Sequence, residues 1–251
     1  MLGTVTRAGK ALDLFTPERP TWGATAVSNE LSIAKSQAHE LLTSLTAIGL
    51  LRRVPGGQYR LGWRTLALGR DGLTGQFPSE ALRVMRAFAA RYRETVHLVA
   101  LDRDRLAIVA RYTARTAAAQ LVPARLDPYV HCCAPGRCLL ADLPEERARQ
   151  LLARPLERHT RSTLVHVPAI LEELARVRAD HVAFDLGESD ADLRAVAVPI
   201  KDADGHTLAA LGVWTTAGRW EQIGSELTRA TVGVGQRVRA AMAAPSTAVA
   251  A

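Results

Sequence analysis

Between residues 35 and 60 the chain gathers side chains suited to hydrogen bonding with nucleic acid. Lys35, Ser36, Gln37, His39 and Glu40 crowd the start of an apolar-periodic segment. A glutamine there pairs bidentately with adenine, a glutamate accepts from cytosine N4, and a serine serves several bases. Lys35 beside a helix amino terminus suits a phosphate. Downstream, Arg52, Arg53, Gln58 and Arg60 flank Pro55-Gly56-Gly57, whose glycines let a hairpin tip approach a backbone or a minor groove. Any solvated helix is polar outside, and any hairpin carries arginines. The ordered combination described below decides for double-stranded DNA, with Thr25 at the start of the preceding helix added to the set.

A second group holds soft donors: His131, Cys132, Cys133 and Cys138. The spacing lacks the Cys-x-x-Cys pairs of a zinc loop, so small buried core residues are the simpler reading and no metal ligand is assigned. Redox or metal sensing through Cys132, Cys133 and Cys138 is the alternative. His159, His166, Glu188 and Asp190 are ingredients of acid–base chemistry without an arrangement. Glu188 to Asp192 and Asp102 to Arg105 read as solvated turns. No Gly-x-Ser-x-Gly, His-Glu-x-x-His or phosphate loop occurs, and Gly233-Val234-Gly235 falls inside a predicted helix, so neither an enzyme nor a cofactor is expected.

The elements that position the first group follow from periodicity. Ala8, Leu12 and Phe15 predict a helix over 7–15, ended by Pro17, Pro20 and Gly23. Thr25 is the expected N-cap of a helix over 26–31, and Ser32-Ile33 a tight turn. Ala38, Leu41, Leu42, Leu45 and Ile48 predict a helix from 35 to about 48, stopped by Gly49. A hairpin follows, 50–54 and 58–61. This is the order of a winged helix-turn-helix, whose second helix enters the major groove. A linker helix over 65–70 and a boundary at Gly72, Gly75 and Pro78 come next.

Beyond the boundary the pattern mixes helix and strand, an α+β domain. Helices are expected over 79–92 with Ser79 as cap, 136–142, 144–153, 168–179 and 221–243. Strands are expected over 96–101, 106–112, 118–122, 182–185, 195–200 and 207–214. Domains are therefore drawn as 1–64 for DNA binding, 65–78 as linker, 79–243 as the second domain, and 244–251 as a disordered tail.

Of 251 residues 48% are hydrophobic and 23% charged, ordinary for a globular protein. The net charge is +7, and up to Asp71 nine basic residues face five acidic ones. That suits a polyanionic partner. No apolar run approaches the roughly 20 residues that cross a membrane. Residues 1–10 lack a secretory signal, so a cytoplasmic location is expected.

Four motifs carry a family resemblance. Ile33-Ala34-Lys35-Ser36-Gln37-Ala38-His39-Glu40-Leu41-Leu42 resembles the recognition-helix signature of IclR-type transcription regulators, usually Leu-Pro-Lys-Ser-Thr-Val-His-Arg-Leu-Leu. The wing Gly57-Gln58-Tyr59-Arg60-Leu61-Gly62 with Leu66 and Leu68-Gly69, the block Ala134-Pro135-Gly136-Arg137-Cys138-Leu139-Leu140-Ala141, and the strand Ala195-Val196-Ala197-Val198-Pro199-Ile200 are also similar to that family's. The resemblance spans about residues 5 to 243. It implies an α+β protein with a winged helix-turn-helix joined by a linker helix to a GAF-like effector-binding domain, acting as a homodimer or homotetramer on operator DNA. It further implies an effector pocket at Ala134, Pro135, Gly136, Asp185, Ala195, Gly212 and Trp214. Trp214 suggests a small hydrophobic or aromatic effector that changes DNA binding allosterically, or else a side chain that fills the cavity. A GAF-like oxidoreductase using Cys133 or Cys138 is the rival class, and it leaves the winged helix unexplained. The chain departs from the family pattern at Glu40, where arginine is usual, at Ser32, where a turn glycine is usual, and at Ser28, where a small apolar residue is usual. The departures bear on which DNA sequence is preferred.

Overall fold

The computed structural model describes residues 3–16, 18–114, 121–123, 126 and 129–243. The chain divides into two compact units, Met1–Gln76 and Phe77–Ala251. The expected strand at 118–122 falls largely, and the tail 244–251 wholly, outside the described residues.

The first unit is built on three helices, α1 (Gly3–Asp13), α2 (Ala24–Leu31) and α3 (Lys35–Ala47), and a hairpin of β2 (Leu51–Val54) and β3 (Gln58–Leu61). One core holds them: Ala11, Phe15, Val27, Ala38, Leu41, Leu42, Leu45, Leu51 and Tyr59. Burying the i, i+3, i+4, i+7 stripe of α3 (Ala38, Leu41, Leu42, Leu45) fixes which face of that helix remains outside. A two-residue strand β1 (Trp22–Gly23), not expected from the sequence, pairs with Gln58 and Tyr59 of β3. Trp22 is buried, and its indole N–H donates to the Leu14 carbonyl at 2.8 Å. That pairing holds Gly23 extended, and α2 starts directly after it at Ala24. Gly23 is therefore the N-cap, and Thr25 is not: it lies within the first turn of α2, exposed.

Ser32 and Ser28, two departures from the family pattern, meet in the turn between α2 and α3. Ser32 ends α2 in the left-handed region at φ 51°, where a glycine would be unstrained. Ser28 Oγ donates to the Ile33 carbonyl at 2.7 Å, and the Ile33 amide returns a bond to Ser28 O. The Ser28 hydroxyl thus satisfies a carbonyl of the turn.

The linker helix α4 runs Trp63–Gln76, longer than expected, with Gly72 and Gly75 inside it. These two and Gly69 cost the helix roughly 1 kcal/mol each against alanine without ending it. The stop comes at Phe77, the residue before Pro78, which proline disfavours in helical conformation. The start of α4 is tied to the connection between α3 and β2 by Arg64 Nη1 on the Ile48 carbonyl and Thr65 Oγ1 on the Leu50 carbonyl. Trp63, Leu66 and Leu68 are 72%, 55% and 55% exposed, an apolar surface on an otherwise polar helix.

The second unit is a five-stranded antiparallel sheet in the order β5-β4-β8-β7-β6, formed by β4 (Thr95–Asp102), β5 (Arg105–Tyr112), β6 (Ala183–Asp185), β7 (Leu193–Lys201) and β8 (Thr207–Thr216). Its central strands are buried along nearly their whole length because helices cover both faces. On one face α6 (Ala134–Asp142), α7 (Glu145–Leu152) and α8 (Val167–Asp180) form a single core with Val99, Ala195, Ala197, Ala210 and Trp214. On the other, α9 (Ala217–Ala243) lies against Val198 and Ile200 and packs with α5 (Ser79–Tyr92). Two expected caps move by one residue: Pro78 rather than Ser79 caps α5, and Pro144 caps α7 instead of opening it. No helix among the described residues is long and apolar enough to cross a membrane.

Candidate DNA-binding surface and effector site

The polar residues that open α3 are presented as a set. Lys35, Ser36, Gln37, His39 and Glu40 are all exposed, while Ala38, in their midst, is fully buried. Ala34 is the N-cap, extended at φ −61° and ψ 145°, and among the described residues no side chain caps the helix. The first amides of α3 therefore face outward without a side-chain acceptor, and with the helix dipole they favour an anion beside Lys35. Glu40, one turn on from Gln37, accepts hydrogen bonds only and opposes a phosphate.

The wing divides its charges between two faces. Strand register places Arg52 opposite Arg60 and Arg53 opposite Tyr59. Arg52 and Arg60 thus share the face turned away from Leu51 and Tyr59, with Gln58 beside them near the tip. Like charges directly across a strand pair repel. Arg52 lies over the Trp63 ring at 5.2 Å, which offsets part of that repulsion, and a phosphate would offset the rest. Arg53 is on the core side of the hairpin but exposed, 5.9 Å from the Tyr59 ring. The structure thus brings Lys35 to Glu40 together on one helix and Arg52, Gln58 and Arg60 together on one hairpin face. It separates Arg53 and Thr25 from these groups.

The seven positions implied as an effector site converge in the second unit. Asp185, Ala195 and Trp214 lie side by side across β6, β7 and β8, and Gly212 is one step along β8 on the same face. Ala134-Pro135-Gly136, the first turn of α6, covers them. All seven are buried, and the space between them is occupied. A β-carbon on Gly212 would stand 2.7 Å from Pro135 Cγ and 2.7 Å from Trp214 Cη2. The Trp214 ring lies over Gly212, and any larger residue there would displace it. Gly136 is equally confined, since a β-carbon would lie 2.2 Å from the Val130 carbonyl oxygen. Asp185 is committed to its own loop. Its Oδ1 accepts the amides of Gly187, Glu188 and Ser189, and its Oδ2 accepts the Ser189 hydroxyl. Burial raises its pKa despite those bonds.

His97 belongs to this face and was missed in the sequence. It pairs with Gly212 across β4 and β8, and its ring centroid is 4.5 Å from that of Trp214. It is fully buried, and neither ring nitrogen has a hydrogen-bond partner among the described residues; Thr95 Oγ1, two residues earlier, is likewise unpartnered. An unpaired buried imidazole is costly, so these are the polar atoms that a ligand polar group would satisfy. The alternation of β4, with 95, 97 and 99 on one side, was the available signal. Burial lowers the His97 pKa from 6.5 to about 3, with the Arg111 charge adding to the effect. The unfolded chain therefore binds the proton first as pH falls, so this contribution to stability is complete above pH 6.5 and declines from there toward pH 3. By pH 5 the loss amounts to about 2 kcal/mol. His97→Gln is expected to flatten the acid limb of the stability–pH profile by that amount, read from urea midpoints at pH 7 and pH 5. Equal acid sensitivity in both proteins would refute it.

The segment Glu188 to Asp192, expected as a solvated turn, is an anchor at its start. Glu188 and Ser189 are buried. Arg137 grips the Glu188 carboxylate with both terminal nitrogens, at 2.6 Å each, and its remaining bonds go to the carbonyls of His131 and Phe184. Glu188 Oε2 also accepts the Leu164 amide, and Thr163 Oγ1 donates to the Glu188 carbonyl. Burial outweighs exposure here because the arginine comes from α6 and the charge is matched locally. The turn Asp102 to Arg105 is exposed as expected.

The three cysteines are free and buried and do not act as a group. Cys133 and Cys138 belong to the apolar core, where burial pushes the Cys133 thiol up to about 12 and the Cys138 thiol higher still. Such thiols stay protonated and inert. Cys132 instead falls beside His131 and His159.

Comparison with known proteins adds the family. Residues 77–240 match the model described as the bacterial transcriptional regulator IclR C-terminal domain, and residues 4–55 match the IclR helix-turn-helix domain. The chain is 28% identical over 222 residues to the HTH-type transcriptional regulator XynR of Escherichia coli, covering 87% of this chain and 88% of that one. It is 26% identical over 215 residues to the transcriptional repressor IclR of Escherichia coli, covering 84% and 78%. Its fold is similar to the crystal structure of an IclR homologue from Microbacterium hydrocarbonoxydans complexed with 4-hydroxybenzoate, with a TM-score of 0.83 at 23% identity, over 95% of this chain and 98% of the other.

Proposed function

The chain belongs to the IclR family of bacterial transcriptional regulators, and on that premise we propose that it binds operator DNA as a homodimer or homotetramer under the control of a small effector. It is a DNA-binding transcription regulator with an amino-terminal helix-turn-helix and a carboxy-terminal effector-binding domain, and its curated relatives are transcription regulators rather than enzymes. The observation that carries the proposal is the exposed, uncapped start of α3, with Lys35, Ser36, Gln37, His39 and Glu40 outward and the helix locked by its buried stripe. In the major groove Gln37 and Glu40 meet base edges, and Lys35 and the α3 amides meet a phosphate. Arg52, Gln58 and Arg60 contact the backbone from the wing, and Arg53 does so from the other side of the hairpin. The exposed Trp63, Leu66 and Leu68 of α4 pair with a second copy, placing two α3 helices on a two-fold site. A cytoplasmic location follows from that partner.

The effector is a small aromatic or hydrophobic compound held at Ala134, Pro135, Gly136, Asp185, Ala195, Gly212 and Trp214. A relative bound to 4-hydroxybenzoate supports this class. So do a Trp ring available for stacking and the unpartnered His97 beside it. Because Trp214 occupies the space, binding requires its ring to move, which couples occupancy to the sheet and α6. A regulator whose site is permanently filled by Trp214 is the second reading. The test is a titration with small aromatic carboxylates, followed by tryptophan emission and by duplex affinity. An emission change with altered duplex affinity is expected in the native chain, and effector affinity about 3–10-fold weaker in Trp214→Leu, which removes the aromatic face. No change in either signal across the series would favour the filled site.

A further inference from the structure

His131 and Cys132 close the turn before α6, and His159 belongs to the loop between α7 and α8. One ligand atom from each lies within 4.8 Å of the others. Three such donors fall within roughly 2.8 Å of a common centre, against zinc–nitrogen and zinc–sulfur bonds of about 2.0–2.3 Å. Inward shifts of less than about 1 Å therefore complete a three-ligand set. We propose that His131, Cys132 and His159 form a binding site for a thiolate- and imidazole-preferring divalent cation, Zn2+ being the best match.

The hydrogen bonds around the cluster are those a ligating histidine needs. His131 Nε2 lies 3.1 Å from the Glu157 carbonyl oxygen, which only accepts, so that nitrogen carries the proton. Nδ1 then holds the lone pair, and it is a buried atom with no hydrogen-bond partner among the described residues. A carbonyl fixing the tautomer and leaving the other nitrogen to the metal is the usual outer-shell arrangement for a ligating histidine. Burial lowers the His131 pKa, with the nearby His159 and the Arg137 charge adding to the effect, while the bond to Glu157 and the charge of Glu188 oppose this. Glu157 also places its carboxylate 3.9 Å from His159 Nδ1, and the Tyr129 ring packs against His159 in a tilted arrangement, centroids 4.4 Å apart. His159 is slightly open to solvent, providing entry.

Cys132 is the group whose state must change. Its thiol is buried, points to the Tyr129 carbonyl at 3.6 Å, and is held protonated by that burial. Binding breaks the S–H bond and forms the metal–sulfur bond. One proton per ion leaves to solvent and no electrons move, so affinity rises with pH. The ion would pin the turn before α6 to the 157–159 segment, next to the block that covers the effector face. The site depends on neither the DNA nor the effector reading.

The test uses Co2+ alone as probe on tag-free full-length protein. One equivalent is expected to produce intense visible d–d bands and a near-ultraviolet thiolate-to-cobalt charge-transfer band, with release of one proton and reversal by Zn2+. Cys132→Ser is expected to abolish the charge-transfer band. His159→Gln, at the solvent-accessible ligand, is expected to weaken binding beyond the roughly 10–100-fold that loss of an outer-shell partner costs. Circular dichroism checks that both variants fold, and if Cys132→Ser does not, His159→Gln decides alone. Absence of the bands in the native protein, or bands and affinity unchanged by His159→Gln, would overturn the site.

Discussion

Arg137→Ala is expected to destabilise the second unit by about 3–5 kcal/mol, the cost of leaving one partner of a buried ion pair unmatched. The pair is bidentate at 2.6 Å and almost wholly enclosed, with Arg137 3% and Glu188 11% exposed. The guanidinium also bonds to the carbonyls of His131 and Phe184, so its loss frees three acceptors in one step. Those acceptors lie on three segments: the turn before α6, the middle of β6, and the loop that follows it. The damage therefore falls on the frame that holds the effector face. Urea unfolding at pH 7 measures it. The double variant Arg137→Met, Glu188→Gln removes both charges and is expected to recover most of the loss, because the penalty is an unpaired charge and not missing volume. A single variant as stable as the native chain would show that the pair contributes nothing.

Lys35→Ala combined with Arg53→Ala is expected to weaken DNA binding on every sequence, by roughly tenfold for each phosphate contact removed. The slope of log K against log salt should become shallower by about 0.9 per contact. Both side chains are exposed and neither contributes to the core, so the fold and its unfolding midpoint should be unchanged. Gln37→Ala supplies the contrast. It should leave the salt slope alone and relax preference at one base pair by about 1–3 kcal/mol. Gel-shift or anisotropy titrations at several salt concentrations separate these behaviours. Unchanged affinity in the Lys35, Arg53 double variant would remove the DNA surface from α3 and the wing.

Much of this was legible because single elements declare themselves locally. The stripe Ala38, Leu41, Leu42, Leu45 announces α3, and burying it is what exposes Lys35 to Glu40. The glycines of the 55–57 turn announce the wing, and the charged turn at 102–105 announces β4 and β5. What was not legible depends on partners distant in sequence. β1 is two residues with no periodicity of its own, and it exists because Gln58 and Tyr59 pair with it. That pairing moved the start of α2 and displaced Thr25 from the cap. Glu188 looked like surface until Arg137, 51 residues away, was placed against it.

The effector face shows the same division. The convergence of Asp185, Ala195, Gly212 and Trp214 came from family resemblance, and the strand register then brought those residues side by side. That Asp185 would be consumed by its own loop, and that His97 would stand unpartnered beside Trp214, are properties of packing. His159 was equally invisible as a companion of His131 and Cys132, since only the fold closes the gap between those segments.

The central claim is that the first unit reads double-stranded DNA through α3 and its wing. Selection of bound duplexes from a random pool by the full-length protein tests it most directly. Enrichment of one motif with two related halves is expected, with enrichment lost at high salt and its base preference shifted in Gln37→Ala. A pool that shows no enriched motif at any salt concentration would contradict the claim.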